Sequence, residues 1–274
     1  MPELPEVETI KNDVRRYLLG RRIEAVDLLD PALVRRPQPE EFVARLVGTS
    51  LASADRVGKY LIIGLGSGDS LVLQLAITGQ LLLAKPGAKP VNNDKLVCSL
   101  DDGKQVRMND ANGYAKAQLQ PKSDLTSSLG LDKLGPDPTA ADFTPTVLQS
   151  ALRRRRGKIK PLLLDQHFLA GLGNIYADEA LFRAGIHPAR EANTLSPAEQ
   201  ERLYAAIREV LLTGIAKRGT TIATYRDLLG RKGHYQEELK VFRRTGKPCA
   251  GCAGVVEMIR MGGRDTHYCP ACQK

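Results

Sequence analysis

Four cysteines near the end of the 274-residue chain carry the clearest chemical signal. They are spaced as Cys249-x2-Cys252 and Cys269-x2-Cys272, with 16 residues between the pairs. Each CxxC makes a tight turn, and two such turns bring four thiolates to the corners of a tetrahedron, which predicts one structural zinc ion. Four protein thiolates leave no position for bound water, so the metal is not expected to be catalytic. Thiol–disulfide exchange is expected from one CxxC beside a βαβ unit, not from this arrangement. Residues 255–259 and 265–268 read as two strands that turn at Gly262-Gly263 and project Arg264. A guanidinium on a metal-pinned hairpin is pre-oriented to clamp phosphate, though a turn arginine is as often simply solvated. His267 reads as a strand residue, and His167, His187 and His234 lack metal-ligand spacing. Cys98, alone in the alternating run 96–100, reads as a small strand residue without chemistry.

A second chemical group opens the chain. Pro2 follows the initiator Met1, whose expected removal leaves a proline amine. An α-amine titrates near 8, against about 10.4 for lysine, so more of it is free base at neutral pH. A secondary amine attacking an aldehyde carbon gives an iminium. Glu3 and Glu6 lie close enough in sequence to move protons. The same residues equally suit a helix start, with Pro5 in the first turn and acids at its positive end.

The elements that must position these groups follow from periodicity. Val7, Ile10, Val14, Tyr17 and Leu18 recur at helical spacing up to Gly20. Strand-like runs follow at 23–28, 57–65, 70–77, 80–84, 96–100 and 105–108, with a short helix at 40–46. Residues 66–69 and 101–103 read as hairpin turns. The short spacing leaves no room for βαβ crossovers, so an N-terminal helix and an antiparallel β-sandwich are expected. Residues 119–143, rich in Pro, Gly, Ser and Asp, read as a linker. Helical patterns follow from Thr144 to the Arg153–Arg156 block, at 161–170, at 174–182 and at 196–214. Ser196-Pro197-Ala198-Glu199 is a capping box. The fold class is α+β and multidomain: 1–130 as the β domain, 131–235 as a helical domain, and 236–274 as the cysteine hairpin.

The net charge is +9, and +7 of it lies in residues 217–274 beside the four cysteines. A basic metal module suggests a polyanionic partner, with solubility as the alternative. No run approaches the roughly 20 apolar residues that cross a membrane. The acidic opening MPELPEVE is neither a signal nor a transit peptide, so a cytoplasmic, non-membrane protein is expected.

Several blocks in order resemble the bacterial formamidopyrimidine-DNA glycosylases. They are MPELPEVET at 1–9, RVGKYL at 56–61, LGPDP at 134–138, and IKPLLLDQHFLAGLGNIYADEALFRAGIHP at 159–188. RGTT at 218–221, YQEELKVF at 235–242 and GGRDTHYCPACQ at 262–273 complete the series. The resemblance implies a helix–two-turn–helix element and a bifunctional glycosylase and abasic-site lyase acting on oxidised purines in double-stranded DNA. It implies Pro2 as the nucleophile, Glu3 as the proton donor and Glu6 as a supporting carboxylate. Lys59 matches a lysine that contacts phosphate beside the lesion. Asn174 and Arg264 match residues that grip phosphates around an everted nucleotide, and Lys160 is expected to add a backbone contact. Residues 216–235 resemble a mobile loop that closes over the everted base. A monomer is expected.

Departures cluster on one face. Where the family usually reads HLGMSG, this chain has QLAITG at 74–79, so Ile77 replaces a methionine wedge. Where it usually reads NDPRRFG, this chain has NDANGYA at 109–115. Asn112 then replaces an arginine that reads the opposite cytosine, and Tyr114 replaces a phenylalanine wedge. Intact nucleophile and acid with altered interrogation residues imply cleavage with relaxed opposite-base preference. A relative acting on oxidised pyrimidines, similar to endonuclease VIII, and a non-catalytic lesion-binding protein are the alternatives.

Overall fold

The computed structural model describes residues 2–153 and 155–274, leaving aside the side chains at 128 and 129. Met1, expected to be removed, and Arg154 of the basic block lie outside the described residues. The chain forms two compact units: Met1–Asp132 with Lys217–Gln236, and Lys133–Ala216 with Glu237–Lys274. This differs from a consecutive division at 130 and 235. Residues 217–236 return to the first unit, and the cysteine hairpin joins the helices of the second.

The first unit opens with α1 (Leu4–Tyr17), whose Leu4, Val7, Ile10 and Val14 are fully buried. It continues with β1 (Ile23–Leu28), β2 (Val34–Arg36) and α2 (Pro39–Leu46). Then come β3 (Leu51–Val57), β4 (Tyr60–Leu65), β5 (Asp69–Gln74), β6 (Gln80–Ala84), β7 (Asp94–Leu100), β8 (Gln105–Asn109), β9 (Lys116–Pro121) and the short α3 (Leu125–Leu129). Two sheets form, β1-β7-β8-β6 and β2-β9-β5-β4-β3. All their pairings are antiparallel except β2 with β9. The β-sandwich core gathers Ile23, Leu61, Leu73, Leu81, Leu96 and Met108 with the buried face of α1.

Three strands were not legible in the sequence: β2, β3 and β9. The run expected at 57–65 is β4 preceded by the Gly58-Lys59 turn and the last residue of β3, with Val57 facing Tyr60. Gly58 has φ +56°, which a glycine adopts without strain. β3 escaped notice because Ala52, Ser53 and Asp55 on its exposed side carry no hydrophobic signal. β9 starts at Lys116 and runs into the expected linker, and its residues 117–120 are buried against β5.

The second unit contains α4 (Pro145–Arg153), α5 (Ile159–Leu164), α6 (Asn174–Ala184) and α7 (Pro197–Ala216), then β10 (Glu257–Met261) and β11 (Arg264–Tyr268). The capping box at α7 is present: Ser196 N–H donates to Glu199 Oε2 at 2.7 Å and Glu199 N–H to Ser196 Oγ at 3.3 Å. α5 stops at Leu164 rather than near 170. Asp165 Oδ1 accepts the His167 N–H, and Gln166 bonds to the carbonyls of Leu164 and Leu172 and to the Gly171 N–H. These contacts fold residues 165–173 into the two turns between α5 and α6. A β-carbon on Gly135 would lie 2.3 Å from the Phe168 carbonyl oxygen, which explains the glycine of LGPDP. Among the described residues, no helix is long and apolar enough to cross a membrane.

Residues 217–236 are built into the first unit through Tyr225 and Leu228, both part of its apolar core. Leu83 N–H also donates to the Leu228 carbonyl at 2.7 Å. Leu228→Ala should therefore lower the unfolding free energy by about 2–5 kcal/mol in urea titrations. A loss below about 0.5 kcal/mol, the range of surface substitutions, would show that the segment is not part of the core.

Candidate active site and metal centre

Pro2, Glu3 and Glu6 come together at the buried start of α1. Glu6 Oε2 accepts the Glu3 N–H at 2.7 Å, the reach-back contact of a capping box. Glu6 Oε1 accepts the Thr220 N–H at 2.7 Å. One carboxylate thus joins the start of the chain to the returning segment. Gly219, at φ +83°, makes the approach possible, because a β-carbon there would stand 2.8 Å from Glu6 Oε1. Arg218 locks the same turn, reaching Asp13 on α1 at 2.5 Å and Asp227 at 2.6 Å. Burial alone would raise the Asp227 carboxyl, but donors on Arg231 and Arg218 hold it below the ordinary carboxylate value. The segment expected to be mobile is docked by buried polar bonds at one end and by apolar burial at the other.

Lys59 occupies the tip of the β3–β4 turn. Arg56 fixes that turn from below, donating to Glu8 of α1 at 2.9 Å and to the Gly58 carbonyl at 3.1 Å. Ile77, Asn112 and Tyr114 are brought to two neighbouring loops. Asp110, fully buried, accepts the Ala115 N–H at 2.7 Å and the Asn112 N–H at 3.2 Å, and also bonds to the Thr78 hydroxyl. Thr78 Oγ1 accepts the Asn112 N–H at 3.1 Å. The Thr78–Asp110 contact welds the loops, while Ile77 and Tyr114 stand 47% and 59% exposed at their tips. Exposed apolar side chains on a polar, pinned platform are what a wedge into stacked bases requires.

In the second unit, Asn174, Lys160 and the hairpin converge on one carbonyl. Asp265 O accepts from Asn174 Nδ2 at 3.0 Å and from Lys160 Nζ at 3.1 Å. Arg264, next to it at the start of β11, is exposed. Lys160 corrects an expectation: it cannot touch DNA with its ammonium as placed. It is 0% exposed, paired with Asp178 Oδ1 at 2.6 Å and bonded to Thr266 Oγ1 at 2.8 Å. Asp178 Oδ2 accepts the His267 N–H at 2.9 Å and lies 3.1 Å from His267 Nδ1. The neighbouring Glu179, also buried, accepts the N–H groups of Lys240, Val241 and Phe242. Burial raises its carboxyl above the ordinary value despite those three donors. Successive acids on α6 therefore hold the hairpin and the strap that precedes it.

The Cys249, Cys252, Cys269 and Cys272 sulfurs lie within 4.8 Å of one another, a set able to hold a metal ion. Gly251 and Gly254 each donate an N–H to the sulfur of the cysteine two residues earlier, at 3.3 Å. Such donors stabilise charge on thiolates, so the residues fit a cation. Cys98 is different: burial pushes its thiol up to about 12, which removes nucleophilic character at neutral pH.

Asp178, Glu179, Thr78, Asp110 and Arg218 were not singled out by sequence reasoning. Asp178 and Glu179 carried a detectable signal, since both lie in the otherwise buried stretch 175–181 of α6. A charged pair there must be compensated. Thr78 and Asp110 carried none, because ordinary loop residues gain importance only through a partner 32 positions away.

Residues 1–116 match the family model described as the formamidopyrimidine-DNA glycosylase N-terminal domain, and 134–226 match the H2TH domain of the same family. Residues 246–274 match a zinc finger found in FPG and IleRS. Over 274 residues the chain is 43% identical to a formamidopyrimidine-DNA glycosylase of Pelotomaculum thermopropionicum, covering 100% of this chain and 99% of that one. It is 44% identical to one from Symbiobacterium thermophilum, covering 100% and 89%. Among solved structures, a Lactococcus lactis variant in complex with Fapy-dG-containing DNA superposes with TM-score 0.94 at 34% identity, over all of both chains. The Lactococcus lactis protein in complex with abasic-site DNA gives TM-score 0.92 at 34% identity, over 99% of each.

Asp178→Ala should leave the Lys160 ammonium buried without its counter-charge and cost about 3–5 kcal/mol. Lys160→Met/Asp178→Leu, which removes both charges, should recover most of that loss. A double variant as unstable as Asp178→Ala in the same denaturation experiment would show that the pair is not the source of the cost.

Proposed function

The chain belongs to the formamidopyrimidine-DNA glycosylase family, and on that premise we propose that it excises oxidised purines from double-stranded DNA and then cleaves the resulting abasic site. The observation that carries this reading is the Pro2-Glu3 pair buried at the head of α1 and held by Glu6. The target nucleotide must leave the stack before an amine can reach its sugar. With Met1 removed, the Pro2 nitrogen attacks C1′ while the bond from C1′ to the base breaks. Glu3 supplies a proton to the deoxyribose and assists ring opening. The resulting iminium acidifies the C2′ proton, and elimination on the 3′ side and then the 5′ side cuts the strand at both positions. Glu6, with both oxygens engaged by backbone N–H groups, acts as a positioning residue.

Lys59, Asn174 and Arg264 contact phosphates. The Asn174 amide spends one N–H on Asp265 and keeps its second for a phosphate oxygen. Lys160 supports this grip indirectly, by fixing Asp265 and Thr266 beside Arg264. The four cysteines hold one zinc ion, which supplies rigidity to the hairpin and takes no part in the reaction. The protein acts as a cytoplasmic monomer on nucleoid DNA.

Ile77 fills the gap left by the everted base, Tyr114 stacks, and Asn112 faces the opposite base. Asparagine hydrogen-bonds to a base edge but lacks arginine's charged fork, so discrimination between opposite bases is relaxed.

Borohydride reduction on oligonucleotides bearing 8-oxoguanine should trap a covalent adduct that maps to Pro2. Retaining Met1 should abolish it; undiminished trapping would exclude Pro2 as the nucleophile. Excision opposite C, A, G and T should vary little, and a strong preference for C that Asn112→Ala removes would overturn the relaxed-specificity reading. Stripping the metal with a chelator should weaken DNA binding before it slows cleavage of bound DNA. Loss of cleavage at unchanged affinity would contradict a purely structural zinc.

A further inference from the structure

Residues 221–224 of the returning segment have no regular structure, and one side chain ties them to the β-sandwich. Gln80 Nε2 donates to the Thr224 carbonyl, 144 positions away in the chain. Among the described residues, this is the one hydrogen bond between 221–224 and the two sheets of the first unit. The other bonds stay inside the segment. Thr221 N–H donates to Gln236 Oε1 at 2.9 Å, and the Thr221 hydroxyl donates to the Tyr225 carbonyl at 3.0 Å while accepting the Gly233 N–H at 3.0 Å. Arg226 donates to the Ala223 carbonyl at 3.3 Å. Gln80 itself opens β6, the edge strand of its sheet, where it faces Asn109. Ile77 lies three positions before it, and Asp110 follows Asn109. We propose that Gln80 is a positioning residue for base excision, holding the Thr224 carbonyl, and with it residues 221–224, in register with Ile77. The inference rests on the proposed glycosylase function: Ile77 takes the place that the base vacates, residues 219–225 receive the base, and Gln80 sets the spacing between the two.

The free edge of β6 is covered by residues 224–228, tied at two points. Leu83 N–H holds the Leu228 carbonyl at 2.7 Å, and Gln80 holds the other end about 10 Å along the strand, at about 3.3 Å per residue. The first tie is backbone to backbone, open to any residue but proline. The second exists only because residue 80 carries an amide. The base of that amide is firm. Gly79 N–H donates to the Leu75 carbonyl at 3.0 Å, and a β-carbon on Gly79 would stand 2.3 Å from the same oxygen, so the chain turns tightly between Ile77 and Gln80. The far end of the stretch is held at Thr220, whose N–H meets Glu6 beside Pro2 and Glu3. Residues 221–224 thus span from the chain start at one end to the Ile77 loop at the other. Excision needs an everted base held in place, whereas cleavage at an abasic site has no base to hold. A contact that served folding alone would affect both reactions equally.

The test compares single-turnover rates at saturating enzyme on a duplex bearing 8-oxoguanine and on the same duplex bearing a preformed abasic site. Gln80→Glu keeps the shape, lacks the amide donor and sets a carboxylate against the Thr224 carbonyl. Excision should slow about 3- to 10-fold, the worth of one neutral hydrogen bond, while abasic-site cleavage stays within about 2-fold of wild type. Gln80→Met, uncharged and without a donor, should show the same selective loss and keeps the test available if Gln80→Glu is poorly folded. Gln80→Lys restores an N–H donor of similar reach and should return excision to within about 2-fold of wild type. Unchanged excision in Gln80→Glu and Gln80→Met, equal slowing on both substrates, or no rescue by Gln80→Lys overturns the proposal. Wild type separates the two levels. A wild type that processes both substrates, with variants that do not discriminate between them, sinks the role of Gln80 alone. A wild type that leaves 8-oxoguanine in place sinks the oxidised-purine function and this inference with it.

Discussion

An ammonium and a carboxylate withdrawn entirely from water, Lys160 and Asp178, set the constraint on which the second unit depends. Removing two charges from solvent is costly, and only close geometry with further hydrogen bonds offsets it. The structure supplies those bonds from the hairpin itself, through Asp265, Thr266 and His267. The pair is therefore satisfied only when β11 lies against α5 and α6. Glu179 adds the same logic one residue later, taking three backbone N–H groups of the strap at 240–242. The hairpin is small and has little apolar area of its own, so buried charge and the cysteine cluster take the place of a core.

The first unit solves a comparable problem at its own chain start. A terminal residue has few neighbours to restrain it, yet an amine that must meet one carbon needs a defined position. Glu6 restrains it by accepting from Glu3 on one side and Thr220 on the other. The returning segment is in turn fixed by Arg218 between Asp13 and Asp227 and by the burial of Tyr225 and Leu228. The residues that would recognise a base and the residues that would attack its sugar thus share one carboxylate.

The loops that carry Ile77 and Tyr114 obey a different rule. Ile77 and Tyr114 are exposed, which is unfavourable for apolar groups unless something is to cover them. Their stiffness comes from Asp110 and Thr78, polar residues buried beneath the tips. Support and contact are separated: the polar groups hold, and the apolar groups reach.

The cysteine spacing, the helical stripe of α1, the capping box of α7 and the family blocks were all legible in the sequence. Each is a local pattern whose meaning lies within a few residues or in an ordered set of motifs. Strands β3 and β9 were not, since one shows a polar outer side and the other runs into a segment of linker-like composition. The return of residues 217–236 to the first unit was also hidden, because nothing in RGTT states that its N–H groups will meet a carboxylate more than two hundred positions earlier. Lys160 shows the limit most plainly. By itself the sequence determined only that a lysine stands in that motif, and its resemblance to the family implied a contact with the DNA backbone. Only the tertiary structure decided that Asp178 and the hairpin, rather than DNA, take that charge, because the cost of burying an ion is settled by what surrounds it in space.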